Sequence, residues 1–598
     1  MNLRLVPPVL PWLLSACSAA LPPPAAPQCP DAPRASGSQI LAAPEVPATP
    51  ATDRPRLSIT LTPVLAQGAV RVELRMSASS ASVGALSARP PDKEALKLES
   101  ARDERGPLEL RTAMGEGTLT VRPVRPWEGE LSLTYVAQAR VSSRSGLPWL
   151  AADPDRLELS GEALLLPDTL EDKQIAASLR IAVEAYGTLD GYGQGSKEQL
   201  VAGGASSFGV GAARTVNSTV GELRRAVFLA GPMGSAVFDA PEGHDEAAWF
   251  GYTSFDPRPV AADVAAFRSA VGEIFGDKSA TPESLLIVQV PGPRGSFVAA
   301  RRSRGVLVHV PVGEPWSGPL RIAVGVEVLH AWLGSRLWIG PEAPTREAEG
   351  VWFAQGVARH LSRDLLFRFG LITPAEVANE VNGLESVVAT SRWRKETNAA
   401  LAARVGEPGV LPLLVARGAL YALRVDATLR ARSGGKRSIS DVLRVLYGKA
   451  REKRGPLATS AWIEAVTGEL GADEAPAFDG AIAHGDKLTV PDGALGPCFK
   501  RENRRHEPFV LGFDEPATKE PQAITGLVTG GPAEKAGVKE GDVLLNATFA
   551  QGRSDVSVQL LLERAGKQIK VEYRPAGPAA MGRGWARRKG VGDEACTK

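Results

Sequence analysis

The stretch Val351–Thr373 reads VWFAQGVARHLSRDLLFRFGLIT and is the most distinctive segment of the chain. It predicts a helix over about 350–369 that stops at Gly370, because glycine commonly follows the last residue of a helix. The sequence TPAE at Thr373–Glu376 then begins another helix with a capping-box pattern. The segment therefore predicts two helices in direct succession.

A mixed α/β region surrounds this segment. The run Leu285–Val290 is almost continuously apolar, as in a central strand of a sheet, and residues 306–310 alternate as another strand. A helix follows, with Ser317 as its cap and Gly334 near its end. Further helices are predicted over 415–431, 438–450 and 459–469.

Residues 55–168 are predicted to be all-β. Apolar and polar side chains alternate over 70–76 and again over 131–135, which is the period of a half-buried strand. Prolines and glycines interrupt the stretch at short intervals. We expect a β-sandwich of short strands, with one insertion near 77–104.

The last folded domain covers 507–575. It contains GGPAEKAGVKEGDVLL at Gly530–Leu545, which resembles the signature of PDZ domains. The residues Val510, Leu511, Gly512 and Phe513 resemble the loop whose backbone N–H groups bind a peptide's terminal carboxylate.

The usual PDZ groove helix is missing from the sequence pattern. Residues 546–555 include Gly552, and strand-like alternation begins directly afterwards, at 556–562 and 569–573. The helix is lost or reduced to a turn, which argues against ordinary capture of a C-terminal peptide. We predict a truncated PDZ-like β domain.

Composition excludes some classes of function. The 598 residues include 69 Lys and Arg and 67 Asp and Glu, for a net charge of +2. This balance argues against a nucleic-acid partner, which requires clustered positive charge. No apolar run reaches the roughly 18 residues that span a bilayer. Only six histidines are available as metal ligands.

The N-terminus resembles an export signal, with Arg4 followed by an apolar stretch at 5–14. The string LSAC at Leu14–Cys17 resembles the bacterial lipobox, in which the signal is cut before a cysteine that receives lipid; an ordinary signal cut slightly later is the alternative. Residues 18–54 are rich in Pro and Ala and predict an extended tether. We expect an exported lipoprotein of the cell envelope, with signal peptide 1–17.

Three further expectations concern the ends of the chain. By analogy with the best-known sorting rule, Ser18 after Cys17 favours the outer membrane, with the protein facing the periplasm or the surface. If Cys17 is lipidated, Cys29, Cys498 and Cys596 remain in an oxidising compartment. Since domain termini often lie close together, a Cys498–Cys596 bridge is one possibility, and three free thiols the other. Residues 576–598 are read as a disordered basic tail.

The domain order resembles the glycyl aminopeptidase family of zinc metallopeptidases. The stretch quoted first, HAWLGSRLW at His330–Trp338 and the segment Ala416–Tyr447 resemble that family's sequence after its zinc helix. The resemblance implies an α+β multi-domain fold with a thermolysin-like domain at 169–372 and a helical domain at 373–490, between the β-sandwich and the PDZ-like domain.

Such enzymes carry HExxH on a helix, in which two histidines bind zinc and the glutamate is the general base; a glutamate on the next helix is the third ligand. Here the aligned segment is VEVLH, so Val326 replaces the first histidine while Glu327 and His330 remain. Gln355 replaces the third ligand, and Leu414 and Val415 stand where the family's oxyanion tyrosine is expected, three or four residues before Gly418. No metal is therefore predicted to bind unless the site is rebuilt.

Two residues are candidates to replace the missing zinc ligands. Glu349 has the spacing from His330 of a sister aminopeptidase family, but the alignment puts Gln355 at the ligand position. His360 follows on the same helix, but it matches a family tyrosine. The remaining histidines are predicted to be structural or solvated. Glu327 then needs another role: either it pairs with Arg417 or Arg424, or it is solvated in an empty cleft.

These substitutions predict a pseudopeptidase, with Glu327 as the remnant of a general base. It would bind a peptide or protein partner, or act as a scaffold, while a lipid anchor holds it to the membrane. The alternative is an active aminopeptidase with a displaced or non-standard metal site. A third hypothesis is a structural envelope protein whose PDZ remnant docks onto a partner. No oligomeric state is predicted.

Overall fold

The computed structural model describes residues 55–596 apart from 79–82, 142–146, 188–199, 241–242, 252–254, 278–281, 342–343, 487, 515–522, 551 and 594–595. The expected signal, Cys17 and the tether lie outside the described residues. Among the helices described, none has the length and the apolar character needed to cross a bilayer.

The N-terminal region consists of β-strands. The predicted alternation is confirmed, because Val70, Val72, Leu74 and Tyr135 are each 0% exposed. Three short 3-10 turns lie between strands, at Leu65–Gln67, Gly161–Ala163 and Asp168–Leu170. The strands are β1 (Arg56–Val64), β2 (Ala69–Ser77), β3 (Leu86–Ala88), β4 (Leu96–Asp103), β5 (Gly106–Pro107), β6 (Leu110–Gly115), β7 (Thr118–Pro123), β8 (Leu131–Gln138), β9 (Arg140–Val141), β10 (Pro148–Ala152), β11 (Leu157–Ser160) and β12 (Leu166–Pro167).

The mixed α/β region follows, and it includes the predicted strand at 285–290. Its elements are β13 (Gln174–Ile181), β14 (Val201–Ser206), β15 (Gly209–Val210), β16 (Ala213–Thr219), α1 (Val220–Arg224), β17 (Val227–Ala240), β18 (Gly243–Phe250), α2 (Pro257–Phe275), β19 (Ser284–Val290), β20 (Val298–Arg302) and β21 (Gly305–Pro311).

Three sheets use these strands. A seven-stranded sheet has the order β16-β13-β1-β2-β8-β4-β5, and a four-stranded sheet has the order β12-β3-β7-β6. The third, mixed sheet runs β20-β21-β19-β18-β17-β11-β10-β9, with β14 and β15 attached. The domain boundary predicted at 168/169 does not divide the sheets from each other. Strand β13 follows the boundary but joins the N-terminal sheet, and β11 precedes it but joins the mixed sheet. Alternation predicts a strand but not its partner.

The helical region begins beside the mixed sheet. The helix predicted over 350–369 is present, but its first turns form a π-helix. The capping box at Thr373–Glu376 is confirmed. The helices are α3 (Gly318–Leu329), a 3-10 segment (Pro344–Gly350), a π-helix (Trp352–Val357), α4 (Ala358–Arg368), α5 (Pro374–Thr390), α6 (Asn398–Ala402), α7 (Val410–Ser433), α8 (Ile439–Lys453), α9 (Thr459–Leu470), α10 (Ala475–Phe478) and a second π-helix (Asp479–His484).

The C-terminal region holds a small unit between two paired strands. The unit has its own apolar core, α11 (Pro532–Lys535) and a three-stranded sheet of β23 (Val543–Thr548), β24 (Val558–Arg564) and β25 (Lys567–Tyr573). The described residues of 549–557 contain no helix. The flanking strands are β22 (Phe499–His506) and β26 (Ala580–Arg587), which pair with each other.

Strand β26 corrects the prediction of a disordered tail over 576–598. Trp585 in this strand is 1% exposed. The strand forms because β22 and α5 supply distant partners that a reading of the basic tail alone does not reveal. A disulfide joins Cys498 and Cys596, whose Cα atoms are 5.1 Å apart. It closes the segment that contains β22, the small unit and β26.

Asn382 of α5 binds the open edge of β26. Its side-chain oxygen accepts a hydrogen bond from the main-chain N–H of Trp585 at 2.7 Å, and its amide nitrogen donates to the carbonyl of Trp585 at 2.9 Å. Asn382 is 5% exposed, so it replaces a neighbouring strand in a buried position. The C-terminal ribbon is thereby attached to the helical region.

We predict that Asn382→Ala lowers the free energy of local opening of β26 by about 2–3 kcal/mol, because two buried main-chain groups lose their partner. Amide hydrogen exchange of the full-length protein measures this opening. The control is Asn503→Ala, an exposed asparagine of β22, which should change it by less than about 0.5 kcal/mol. Equal effects of the two variants would contradict the assignment.

Candidate functional site

Helix α3 carries the segment that resembles a zinc-peptidase motif in sequence. Ser317 is its N-cap residue, as predicted, and Pro319 lies in its first turn. Val326 is 5% exposed and packs into the main core. Glu327 and His330 lie one turn apart and contact β20 and the π-helix. The two retained residues are therefore brought together.

The carboxylate of Glu327 joins α3 to β20. Its Oε2 accepts a hydrogen bond from the main-chain N–H of Arg301 at 2.8 Å. The Arg301 guanidinium donates to the main-chain oxygen of Glu327 at 3.2 Å and also pairs with Glu283 at 2.7 Å. Sequence reasoning missed Arg301, because no local pattern shows which strand lies beside the helix.

Neither predicted arginine partner contacts Glu327. Arg417 donates to the main-chain oxygens of Glu396 and Arg394, at 2.9 and 2.8 Å. Arg424 pairs with the buried Glu474. The alternative of a solvated Glu327 is wrong too, since its side chain is only 15% exposed. The choice of partner depends on how the helices pack, which the sequence pattern does not reveal.

Both ring nitrogens of His330 face oxygen atoms. Nδ1 lies 3.1 Å from Oε2 of Glu327, and Nε2 lies 3.0 Å from the main-chain oxygen of Ala354. The side chain is 11% exposed. The carbonyl of Ala354 can only accept, so Nε2 carries a proton in this contact and has no lone pair for a metal.

Gln355 lies in the π-helix and is partly exposed. The π-helix crosses α7 at two glycines. A Cβ on Gly356 would lie 2.7 Å from the Cα of Gly418, and a Cβ on Gly418 would lie 2.0 Å from the main-chain oxygen of Trp352. Glycine is therefore required at this crossing, and the crossing sets the position of Gln355.

The expected tyrosine position is apolar. Leu414 is 0% exposed and packs in a small buried cluster with Leu401, Val410 and Leu413. The buried Tyr421 of the same helix donates from its hydroxyl to Glu474 at 2.9 Å. It belongs to a different buried network.

His360 lies in its own buried network and not at this site. It is 1% exposed, and its Nδ1 accepts from Arg363 at 2.6 Å. Burial lowers its pKa. Its Nε2 lies 3.4 Å from Asp426. Burial opposes ionisation of Asp426, but the hydrogen bond from His360 and the charge of Arg430 together hold its pKa well below the usual range.

The other histidines are dispersed. His309 is buried and contacts Glu158 at 2.9 Å, whereas His506 contacts the main-chain oxygen of Arg583 at 3.0 Å. His244 lies 3.3 Å from Asp239 near the surface, and His484 is exposed.

The residues present do not fit a catalytic zinc. Such a site normally has three protein ligands. Here Val326 has no lone pair, Gln355 offers a neutral amide and His330 is engaged at both nitrogens. Within the described part of the chain, no group of three or more His, Cys, Asp or Glu side chains is placed to hold a metal ion.

Two small cavities lie beside α3, each of about 20 Å³. Such a volume holds roughly one water molecule. Val328 lines both, and neither is lined by Glu327, His330 or Gln355.

The predicted carboxylate loop of the C-terminal unit is largely buried. Leu511 and Phe513 are each 6% exposed, and a Cβ on Gly512 would lie 3.0 Å from Ala533. The main-chain N–H of Val510 donates to the oxygen of Pro575 at 2.8 Å. At least one of the four amides is therefore already used within the chain.

No protein-family model matches the sequence, and no curated protein sequence matches it. The structure is similar to an aminopeptidase N family protein from Idiomarina loihiensis, with TM-score 0.64 and 15% identity over 88% of this chain and 98% of that chain. It is less similar to an M1 zinc metallopeptidase from Deinococcus radiodurans, with TM-score 0.42 and 15% identity over 74% and 96% of the two chains. For yeast LTA4 hydrolase in complex with bestatin the values are 0.44 and 11%, over 75% and 72%.

The similarity to the Idiomarina loihiensis protein is a similarity of fold. The multi-domain α+β architecture, with N-terminal sheets, a mixed sheet, a helical region and C-terminal sheets, resembles that of the aminopeptidase N family of zinc metallopeptidases.

We predict that Gly418→Ala destabilises α7 by about 1–3 kcal/mol, because its new methyl group would clash with the oxygen of Trp352. Hydrogen exchange of α7 in the full-length protein is the measurement. Gly383→Ala, in α5, is the matched control: nothing lies within 4 Å of its Cβ, so it should stabilise by up to about 1 kcal/mol. If Gly418→Ala leaves the stability of α7 unchanged, the π-helix and α7 do not cross closely.

Proposed function

We propose that this chain is a pseudopeptidase of the cell envelope, related to the glycyl aminopeptidases, that binds a peptide or protein without hydrolysing it. One observation carries the proposal. Both ring nitrogens of His330 contact oxygen atoms of this chain, while Val326 and Gln355 occupy the other two ligand positions.

The energetics of the site disfavour zinc. Binding through Nε2 of His330 would break its contact with Ala354 and leave a carbonyl oxygen without that partner. An unpaired buried polar group costs about 1–3 kcal/mol. A single imidazole would have to offset this cost, because valine contributes nothing and a neutral amide binds zinc weakly.

Glu327 acts, in this proposal, as a structural residue. A general base must direct a carboxylate oxygen at the proton that it removes. Here Oε2 is shared between the main-chain N–H of Arg301 and the ring of His330. The carboxylate therefore stabilises the contact between β20 and α3.

The proposal includes the location of the protein in the cell envelope. Lipidation of Cys17 would hold the folded part at the outer membrane through the tether at 18–54, within reach of envelope peptides and proteins. The PDZ-like unit would offer a docking surface and not ordinary C-terminal capture, since Val510 already donates to Pro575 and no helix is described in 549–557.

The zinc content of the full-length protein tests this proposal. After incubation with zinc and gel filtration, it should retain less than about 0.1 zinc per chain by mass spectrometry, because three ligands are not available. The double variant Val326→His/Gln355→Glu restores the ligand set and is the positive control.

Stoichiometric, chelator-removable zinc in the unmodified protein would refute the proposal. Hydrolysis of peptides with N-terminal Gly or Ala that disappears in Glu327→Gln would instead establish the alternative, an active aminopeptidase with a non-standard metal site.

We also predict that Glu327→Ala lowers the free energy of opening of β20 by about 1–3 kcal/mol, because the N–H of Arg301 loses its acceptor. Glu327→Gln keeps an acceptor oxygen and should recover part of the loss. Hydrogen exchange at the main-chain N–H of Arg301 measures the opening of β20 in both variants. Glu273→Ala, at an exposed position of α2, is the control and should have little effect. If hydrogen exchange at Arg301 is unchanged in Glu327→Ala, the structural role of Glu327 is contradicted.

A further inference from the structure

A basic loop, residues 391–409, lies between α5 and α7 and contains α6. Arg392, Arg394, Lys395 and Arg404 in this loop are exposed. The loop also carries two exposed glutamates, Glu396 and Glu407, against these four cations. Arg392 lies 4.0 Å from Glu407, and Arg394, Lys395 and Arg404 have no carboxylate within ion-pair distance among the described residues.

An indole holds two of these arginines together. The guanidinium carbons of Arg392 and Arg404 lie 4.4 and 5.0 Å from the ring centre of Trp393. Trp393 also packs against the cluster that contains Leu414. The two cations are therefore held close to each other on a ring that is anchored to the helices.

Arg417 binds the main chain of the loop. It is 6% exposed, and its guanidinium donates to the main-chain oxygens of Glu396 and Arg394. Those partners are carbonyls and not carboxylates, so they leave the positive charge of Arg417 in place. Gly485 makes room for it, since a Cβ there would lie 2.2 Å from the guanidinium. The loop is thus held by a buried cation.

Apolar side chains are exposed beside the charges. Val405, next to Arg404, is 39% exposed, and Leu411, at the start of α7, is 43% exposed. By contrast, basic residues of the C-terminal ribbon have acidic partners: Lys500 with Glu502, and Arg583 with Asp492.

We propose that the basic loop docks onto an anionic phospholipid surface. Clustered Lys and Arg side chains are attracted to anionic headgroups, while tryptophan and aliphatic side chains favour the interface between headgroups and acyl chains. The three exposed cations without an ion-pair partner, Arg394, Lys395 and Arg404, together with the exposed Val405 and Leu411, match such a surface.

Vesicle binding tests this proposal. The full-length protein carries Cys17→Ser, so that no acyl chain contributes. It should sediment with vesicles of phosphatidylcholine that contain about 30% phosphatidylglycerol and not with pure phosphatidylcholine. About 0.5 M NaCl should weaken the binding.

Charge reversal in the loop is the decisive comparison. Arg394→Glu/Lys395→Glu/Arg404→Glu should weaken binding at least about tenfold. The milder Arg394→Gln/Lys395→Gln/Arg404→Gln should act in the same direction and guards against misfolding, which circular dichroism monitors. The control is Lys97→Glu/Lys449→Glu/Lys570→Glu, which makes the same change in net charge at scattered exposed sites and should change binding less than about twofold.

Failure of the parent protein to bind anionic vesicles would overturn the proposal, and so would equal losses in the loop and control variants. All variants leave Glu327 and His330 intact, so the outcome is independent of the zinc measurement.

Discussion

The hydrogen bonds of His330 are the contacts on which the rest of the candidate site depends. One ring nitrogen contacts Glu327 and the other contacts the main-chain oxygen of Ala354, so this residue joins α3 to the π-helix. Glu327 extends the connection to β20 through the N–H of Arg301. Strand, helix and π-helix are thus held by protein groups where a metalloenzyme would use a metal. This arrangement supports our proposal of a non-catalytic protein.

Close packing and specific contacts also hold the neighbouring helices and the C-terminal ribbon in place. Gly356 and Gly418 let the π-helix cross α7 closely, and a side chain at either position would force the helices apart. Asn382 of α5 attaches β26 to the helical region, and the disulfide between Cys498 and Cys596 joins the two ends of the C-terminal segment to each other. The small C-terminal unit consequently lies between two paired strands, β22 and β26, and β26 is bound to the helical region by Asn382.

Much of the fold follows from local pattern. Helix starts such as the capping box at Thr373 and the apolar strand at 285–290 were predictable, because they depend on residues close in the sequence. The boundary at 168/169 and the strand β26 were not, since each depends on a partner far along the chain. In the candidate site, Glu327, His330 and Gln355 could be named from the sequence, whereas the contact of Glu327 with Arg301 could not.

The sequence by itself determined that position 326 offers no metal ligand, because a valine side chain has no lone pair in any conformation. It also determined that Glu327 sits on an apolar helix and needs a partner. Only the tertiary structure decided that this partner is the main-chain N–H of Arg301 and not Arg417 or Arg424. The physical reason is that a buried carboxylate takes the donor that packing brings within 3 Å, and packing sums contacts across the whole chain.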